Sequence, residues 1–148
     1  AAQMDRFAMQ LTMGFPPPDA EMEMLDVHLS ARPAIDALNA VLTKSRFLEW
    51  QAMVPQIFIG EQIKGYLVAL ANTIRSDSRC LAPPSPRSVI MMARVAQAHA
   101  LSSGRDFVSP VDVQQIAADV LSHRLVISGD ETGHAYVAEI LEKVNVPG

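Results

Sequence analysis

Two arginines occupy positions from which a cation could reach a phosphate group. Arg87 follows a Ser-Pro pair, which is typical of a helix N-cap and first helical position. The helix dipole disfavours a cation in that first turn by ~0.3–1 kcal/mol. Arg87 is therefore either a surface cation or a contact for an anion, such as a phosphate, that another domain brings to the helix start. Arg6 lies between an aspartate and a phenylalanine, and by itself it is indistinguishable from an ordinary surface arginine.

A metal site is the second kind of chemistry that the residue types suggest. Residues 131–134 read Glu-Thr-Gly-His and resemble half of a His-Glu-x-x-His zinc motif, but Asp130 stands where the first histidine belongs. The glycines at 129 and 133 disfavour a helix there. Because zinc needs at least three convergent ligands, we expect no metal site.

Nucleophilic and nucleotide chemistry find little support in the chain. Cys80 could act with His99 or His123, but spacing alone does not bring them together. A loop thiol and solvent-facing imidazoles are the simpler expectation. The sequence has no Gly-x-x-x-x-Gly-Lys-Ser/Thr loop, so we expect that it cannot hold a nucleoside triphosphate unaided.

Composition narrows the class of protein. The chain has 148 residues, 49% of them hydrophobic, which suffices for a core and argues against wholesale disorder. Its 12 basic and 16 acidic side chains give a net charge of −4, which argues against broad binding to nucleic acid or an anionic membrane. No apolar run approaches the ~20 residues that cross a bilayer. A single cysteine excludes an internal disulfide and fits a reducing compartment.

The spacing of apolar residues predicts a helical protein. Residues 88–102, rich in alanine, methionine and valine, predict the central and most buried helix. Serine-proline pairs before residues 87 and 111 begin helices, and Gly104 ends one. Glu21, Glu23 and Asp26 are expected to form the solvated face of the first helix. Apolar side chains recur at helical intervals in five further stretches, which are 22–29, 35–42, 63–74, 113–121 and 137–144.

Two segments are predicted to be non-helical. Residues 8–15 nearly alternate in polarity, which predicts one strand, and the prolines at 16–18 prevent a helix from running back into it. A lone strand leaves its backbone groups unpaired, so we expect its sheet to lie outside the chain. The start at alanine rather than methionine leads to the same expectation of a piece of a larger protein. Residues 76–86, with three prolines, are predicted to form a loop.

Several motifs, in order along the chain, resemble the MoxR family of AAA+ proteins. Residues 2–16, with Ala-Gln-Met-Asp-Arg-Phe and then Met-Gln-Leu-Thr-Met-Gly-Phe-Pro, resemble the end of the ATPase core. Ser-Pro-Arg-Ser at 85–88 resembles the second-sensor motif. The stretches 104–113, 119–125 and 142–147 resemble the Gly-Arg-x-Tyr-Val-x-Pro-x-Asp-Val, Val-Leu-x-His-Arg-Leu and Val-x-Val-Pro segments of the family. Residues 43–58 match only loosely.

The resemblance implies a fold and a role for each arginine. The fold is all-α: a helical lid bundle over 19–148, preceded by a short remnant strand of the ATPase core within 1–18. Arg6 matches the arginine finger, which enters the nucleotide site of a neighbouring subunit. Arg87 matches the second sensor, which contacts the terminal phosphates of the nucleotide. Whether Arg87 serves its own subunit or a neighbour stays open.

The resemblance also implies what the intact protein does. It would hydrolyse ATP with Mg²⁺ in a homo-oligomeric, hexameric ring in the cytoplasm, whereas the chain alone would bind no cofactor and be inactive. Relatives act as chaperones that mature protein complexes or insert metal cofactors, beside a partner with a von Willebrand factor A-type domain and client proteins. No nucleic acid or membrane partner is implied.

Two alternatives remain beside the MoxR interpretation. One is the ATPase subunit of a magnesium-chelatase-like enzyme, which shares this architecture. The other is a non-catalytic helical interaction module that binds a partner helix through methionines, although core filling is the simpler explanation for these side chains. The methionines concerned are Met22, Met24, Met91 and Met92.

Some residues of the motifs have no evident chemistry. Residues 82–84 read Ala-Pro-Pro where the family commonly has glycine and alanine, which would stiffen the entry to the helix that carries Arg87. Arg105, Arg124 and His123 are expected to tie helices together. They would do so by capping carbonyl groups or by pairing with Asp106 and Asp119.

Overall fold

The computed structural model describes residues 4–29 and 38–147, and helices dominate it, as the apolar spacing predicts. Short 3-10 turns lie at Met4–Arg6, Val54–Gln56 and Ser122–Arg124. Two short strands, β1 (Cys80–Ala82) and β2 (Val126–Ile127), pair in antiparallel fashion. The α-helices are α1 (Pro18–Leu29), α2 (Lys44–Met53), α3 (Glu61–Ser76), α4 (Pro86–Ser102), α5 (Pro110–Leu121) and α6 (Gly133–Lys143).

The chain divides into two compact units. The main unit contains residues 4–11 together with 50–147, and Thr12–Glu49 form the second. Helices α3 to α6 build the core of the main unit, where Leu70, Met92 and Tyr136 are almost fully buried. The domain boundary expected between residues 18 and 19 stays a prediction.

Helix α4 is central but not the most buried helix. It contacts both α3 and α5, yet only five of its 17 residues are buried, compared with six of 12 in α5. The prediction of greatest burial is wrong because α4 presents a solvent face, on which Ile90 is 65% exposed. The shorter α5 contacts α3, α4 and α6.

The helix ends follow the predicted capping signals. The carboxylate of Asp112 accepts hydrogen bonds from the backbone N–H and the hydroxyl of Ser109, both at 2.7 Å, at the start of α5. Gly104, with φ of 72°, follows the end of α4. There the N–H of Arg105 donates to the carbonyl of Ala100 at 3.0 Å, which is the bond of a Schellman motif.

The segment predicted as a loop contains a strand. Within 76–86, β1 pairs with β2, and the N–H of Ser128 extends the pairing by donating to the carbonyl of Arg79 at 2.9 Å. The pairing joins residues far apart in the sequence. The sequence of 76–86, with three prolines and a short apolar run, contains no local pattern that predicts this strand pairing.

The strand predicted over residues 8–15 is not formed. These residues have no regular secondary structure. Gly14 adopts φ of 70°, which interrupts an extended backbone, and no strand of the described chain pairs with this segment. Its backbone contact is instead with a helix, because the N–H of Gln10 donates to the carbonyl of Asp119 at 2.8 Å.

The second unit confirms one predicted helix and not the other. Helix α1 forms as expected, and Glu21, Glu23 and Asp26 are exposed on it. Of the helix predicted over 35–42, residues 35–37 lie outside the described residues. Residues 38–42 are not helical.

Candidate functional site

Arg87 lies in the first turn of α4, as the sequence predicts, and it is exposed. The hydroxyl of the N-cap residue Ser85 accepts a hydrogen bond from the backbone N–H of Ser88 at 3.3 Å, which fixes this turn. The guanidinium of Arg87 has no hydrogen bond or ion pair within residues 4–29 and 38–147. It is therefore available to an anion.

Arg6 ends the 3-10 turn Met4–Arg6 and is also exposed. Among the described residues its guanidinium, too, has neither a hydrogen bond nor an ion pair. The turn is closed by the N–H of Phe7, which donates to the carbonyl of Met4 at 3.1 Å.

Asp5 connects the segments that carry these two arginines. Its carboxylate accepts hydrogen bonds from the hydroxyls of Ser85 at 3.4 Å and Ser88 at 3.3 Å. Asp5 precedes Arg6, and Ser88 follows Arg87. The structure thus holds the two predicted site residues on adjoining segments.

A third arginine, Arg124, lies beneath this junction. Its side chain is only 2% exposed, and its Nη1 lies 3.0 Å from the carboxylate of Asp5. Its Nη2 donates to the carbonyls of Phe7 and of Ala8, the latter at 3.3 Å. Burial lowers the pKa of Arg124, the Asp5 carboxylate opposes that change, and the charge of Arg87 adds to it. The guanidinium groups of Arg87 and Arg124 therefore lie within electrostatic range of each other.

Arg105 and Arg124 do bind backbone carbonyls, as one of the two expected modes has it, but the acidic partners expected for them are wrong. Arg124 pairs with Asp5 rather than Asp119. Arg105 pairs with Asp112, at 2.6 Å from Nη1 to Oδ2, rather than with Asp106. Sequence neighbours made the expected pairs plausible. The observed partners are acids that the fold turns toward each arginine.

Asp112 is the most enclosed of these acids. Its carboxylate is fully buried and accepts hydrogen bonds from Arg105, from Ser109 and from Nδ1 of His99 at 2.7 Å. Burial by itself would raise the pKa of the Asp112 carboxyl. The hydrogen bonds from Arg105, Ser109 and His99 outweigh burial and hold that pKa well below its usual range. His99 is therefore engaged in holding α4 to α5.

The other sequence candidates are not brought together. Cys80 lies on β1, while His123 contacts Arg124 and the carbonyl of Phe7. Glu131 pairs with Arg79 at 3.3 Å, and His134 contacts Asp119 at 3.4 Å. Within the described ranges, no three histidine, cysteine, aspartate or glutamate side chains are grouped to hold a metal ion.

The expectation that glycine disfavours a helix at 133 is wrong. Thr132 is the N-cap of α6, and Gly133 is its first helical residue. A Cβ at Gly133 would lie 2.9 Å from the backbone carbonyl oxygen of Ser122. The glycine is needed there because α6 begins in close contact with the turn that carries Arg124.

The methionines divide between the core and the surface. Met92 is fully buried and Met91 packs against the core, so core filling explains both. Met22 and Met24 are 67% and 52% exposed, so core filling does not explain them. Across the described parts of the chain, no helix has both the length and the apolarity to cross a bilayer.

The fold and a family match define the class of protein. The AAA lid domain family matches residues 75–144, which include Arg87 but not Arg6. A crystal structure of a candidate ATPase from Cytophaga hutchinsonii superposes with a TM-score of 0.84, covering 99% of this chain and 48% of that one at 24% identity. The helical bundle that carries Arg87 therefore has the fold of that structure and matches the AAA lid domain family over residues 75–144.

Curated relatives extend the likeness to most of the chain. The uncharacterised protein YeaC of Bacillus subtilis (strain 168) is 33% identical over 99% of this chain and 47% of its own length. The chaperone MoxR1 of Mycobacterium tuberculosis is 28% identical over 95% of this chain and 39% of its own length. The chain thus spans less than half the length of these relatives. The predicted resemblance to MoxR-type AAA+ proteins is confirmed.

Proposed function

We propose that this chain is the lid portion of a MoxR-type AAA+ ATPase, in which Arg6 and Arg87 act on the phosphate groups of one bound nucleotide. One observation carries the proposal: both guanidinium groups are exposed and unpaired within the described residues, on segments that Asp5 joins. Three arginines and one aspartate lie on the segments joined here, so their formal charges leave this region positive. Such a surface suits a nucleotide's terminal phosphates.

The chemistry of arginine fits this role. A guanidinium donates two parallel hydrogen bonds to phosphate oxygens and stays charged at any working pH. Phosphoryl transfer is catalysed mainly by positioned positive charge, and an arginine finger contributes ~10³–10⁵ in rate. ATP with Mg²⁺, bound elsewhere in the intact protein, would supply the phosphoryl group that Arg6 and Arg87 contact.

The shared junction bears on which subunit's nucleotide Arg87 contacts. An arginine finger acts on the nucleotide of the neighbouring subunit. Because Asp5 joins the segments of Arg6 and Arg87, the simplest arrangement directs both side chains to that same nucleotide. We therefore assign Arg87 to act in trans, beside Arg6.

The wider role of the intact protein follows from its relatives. One relative is described as a chaperone, and we extend that role to a cytoplasmic hexameric ring that remodels client proteins. In this role the ring would mature protein complexes or insert metal cofactors, and it would act beside a partner with a von Willebrand factor A-type domain. The lid would convert phosphate contact at Arg87 into motion against the ATPase core.

The test replaces each arginine in the full-length protein. Arg6→Ala should lower the turnover number for ATP by ~10³-fold or more while nucleotide affinity stays nearly intact. Arg87→Ala should also lower turnover. Arg94→Ala, which removes an exposed arginine farther along α4, is the matched control and should leave turnover unchanged.

Rings that mix wild-type and variant subunits test the assignment in trans. If Arg6 and Arg87 serve the neighbour, each variant subunit should abolish hydrolysis in the adjacent wild-type site. Loss of hydrolysis only in the subunit that bears the substitution would contradict this assignment.

A further inference from the structure

The residues on both sides of Arg6 are held by hydrogen bonds, although the side chain of Arg6 makes none among the described residues. Asp5, before it, accepts a hydrogen bond from Nη1 of Arg124 at 3.0 Å. The carbonyls of Phe7 and Ala8, after it, accept hydrogen bonds from Nη2 of the same arginine. One buried side chain therefore holds the backbone on both sides of the exposed Arg6.

Arg124 is itself rigidly held by the lid. It ends the 3-10 turn Ser122–Arg124, which follows α5 directly, and α6 begins against that turn at Gly133. Its remaining donor, Nε, is 3.2 Å from Nε2 of His123. Each nitrogen of the guanidinium has a protein partner and the side chain is only 2% exposed, so Arg124 is engaged by the protein rather than available to a nucleotide.

The same carboxylate that binds Arg124 also binds the start of α4. Asp5 accepts hydrogen bonds from the hydroxyls of Ser85 and Ser88, which lie on either side of Arg87 in the sequence. A second anchor lies farther along, where the N–H of Gln10 donates to the carbonyl of Asp119. The arginine-finger segment is thus attached to the lid at α4, at α5 and at the turn between α5 and β2.

We propose that Asp5 and Arg124 are positioning residues, which hold Arg6 at a fixed place relative to Arg87 without touching the nucleotide. This rests on the proposed function of Arg6 and goes beyond it, since neither Asp5 nor Arg124 has an assigned role. The contacts also attach the arginine-finger segment to the lid. Both arginines then approach or leave a nucleotide together.

The test measures ATP turnover by the full-length protein with Asp5→Asn. Asparagine keeps the size of the side chain but weakens its bonds to Arg124 and the two serines. We expect a roughly 10- to 100-fold lower kcat, since misplacing a catalytic group by about 1 Å has an effect of this size. The KM for ATP should stay unchanged. Glu61→Gln, which removes the charge of an exposed carboxylate paired with Lys64, is the control and should leave kcat unchanged.

A second variant tests the geometry of Arg124 rather than its charge. Arg124→Lys keeps a positive charge but lacks the fork of donors that reaches Asp5 and two carbonyls. It should lower kcat as Asp5→Asn does. Because Arg124 is buried, thermal unfolding must show that the variant folds. If it does not, Asp5→Asn, whose side chain is 35% exposed in the wild type, carries the test alone.

A double-mutant cycle separates positioning from general stability. If Asp5 acts through Arg6, adding Asp5→Asn to Arg6→Ala should lower kcat much less than Asp5→Asn does alone. An undiminished effect in that background, or an Asp5→Asn variant that unfolds more easily but keeps full kcat, would overturn the proposal. If Arg6→Ala itself leaves turnover unchanged, the proposed function fails, and this inference fails with it.

Discussion

At the scale of single residues, arginines that look alike in the sequence do different work. Arg124 forms a salt bridge with Asp5, and Arg105 forms one with Asp112. Arg6 and Arg87 remain exposed. For Arg124 burial makes the difference, because a buried guanidinium must find partners to offset its lost hydration, whereas the partly exposed Arg105 pairs with Asp112 because that carboxylate is buried. Arg6 and Arg87 are exposed and have no side-chain partner among the described residues, so they are available to a ligand.

Asp112 allows a prediction about acid stability. Its pKa is lowered on folding, so its contribution is present above the unfolded-state pKa of about 3.9 and is lost as the pH falls toward the lower folded-state pKa. Asp112→Asn should destabilise the chain by about 2–3 kcal/mol at pH 7, since it weakens bonds to charged partners at a buried site. The difference from wild type should shrink below pH 4. Denaturant unfolding at pH 7 and pH 3 measures it.

Asp106→Asn is the matched control for that prediction. Asp106 is exposed and has no ion pair among the described residues, so its replacement should change the free energy of unfolding little. Equal destabilisation by Asp106→Asn and Asp112→Asn, or a difference independent of pH, would contradict the role given to Asp112.

At the scale of elements, the ends of α6 and the turn before β1 organise the lid. Arg79 pairs with Asp77, Glu131 and Glu139, and its guanidinium lies 5.0 Å from the ring centre of Tyr136. Hydrogen bonds from Arg79, and then from Lys143, lower the pKa of Glu139 to about 2. This network fastens the turn before β1 to α6, and its role is structural.

Two glycines in helices should respond oppositely to replacement by alanine. Gly133→Ala should destabilise the chain by about 1–3 kcal/mol, because the new methyl group would press on the backbone of Ser122. Gly65→Ala, in α3, should stabilise by about 0.5–1 kcal/mol, because its Cβ meets nothing within 4 Å and alanine favours a helix. Thermal unfolding of both variants checks this, and a shift of the same sign in both would contradict it.

Much of this element structure could be predicted from the sequence because its causes are local. The helices and the caps at Ser85, Ser109 and Gly104 depend on residues within a few positions of each other. The junction at Asp5 could not be predicted in this way, since Asp5 and Arg124 are 119 positions apart. The pairing of β1 with β2 and the partner of Arg105 likewise depend on how the helices pack.

At the scale of the whole molecule, the chain carries the two arginines that we propose contact phosphate, but its sequence has no phosphate-binding loop. Arg6 and Arg87 lie on adjoining segments of the main unit. The matched relatives are more than twice as long as the stretch that they share with this chain. We propose that parts of the intact protein beyond this chain complete the site.

The chain alone should accordingly show no ATP hydrolysis. Release of inorganic phosphate from ATP and Mg²⁺ by the purified chain should equal that of a buffer blank. The full-length protein serves as the positive control. Phosphate release by the chain that Arg87→Ala abolishes would contradict the prediction.

The contacts of Arg124 have a consequence for which substitutions this region tolerates. After Arg6, Arg124 binds main-chain carbonyls, which every amino acid possesses, whereas before Arg6 it binds a side-chain carboxylate. Phe7 is 63% exposed, so the residue type at that position is free to drift while its carbonyl keeps the same hydrogen bond. Asp5 has no such freedom, and natural variation should be strict on one side of the arginine and permissive on the other.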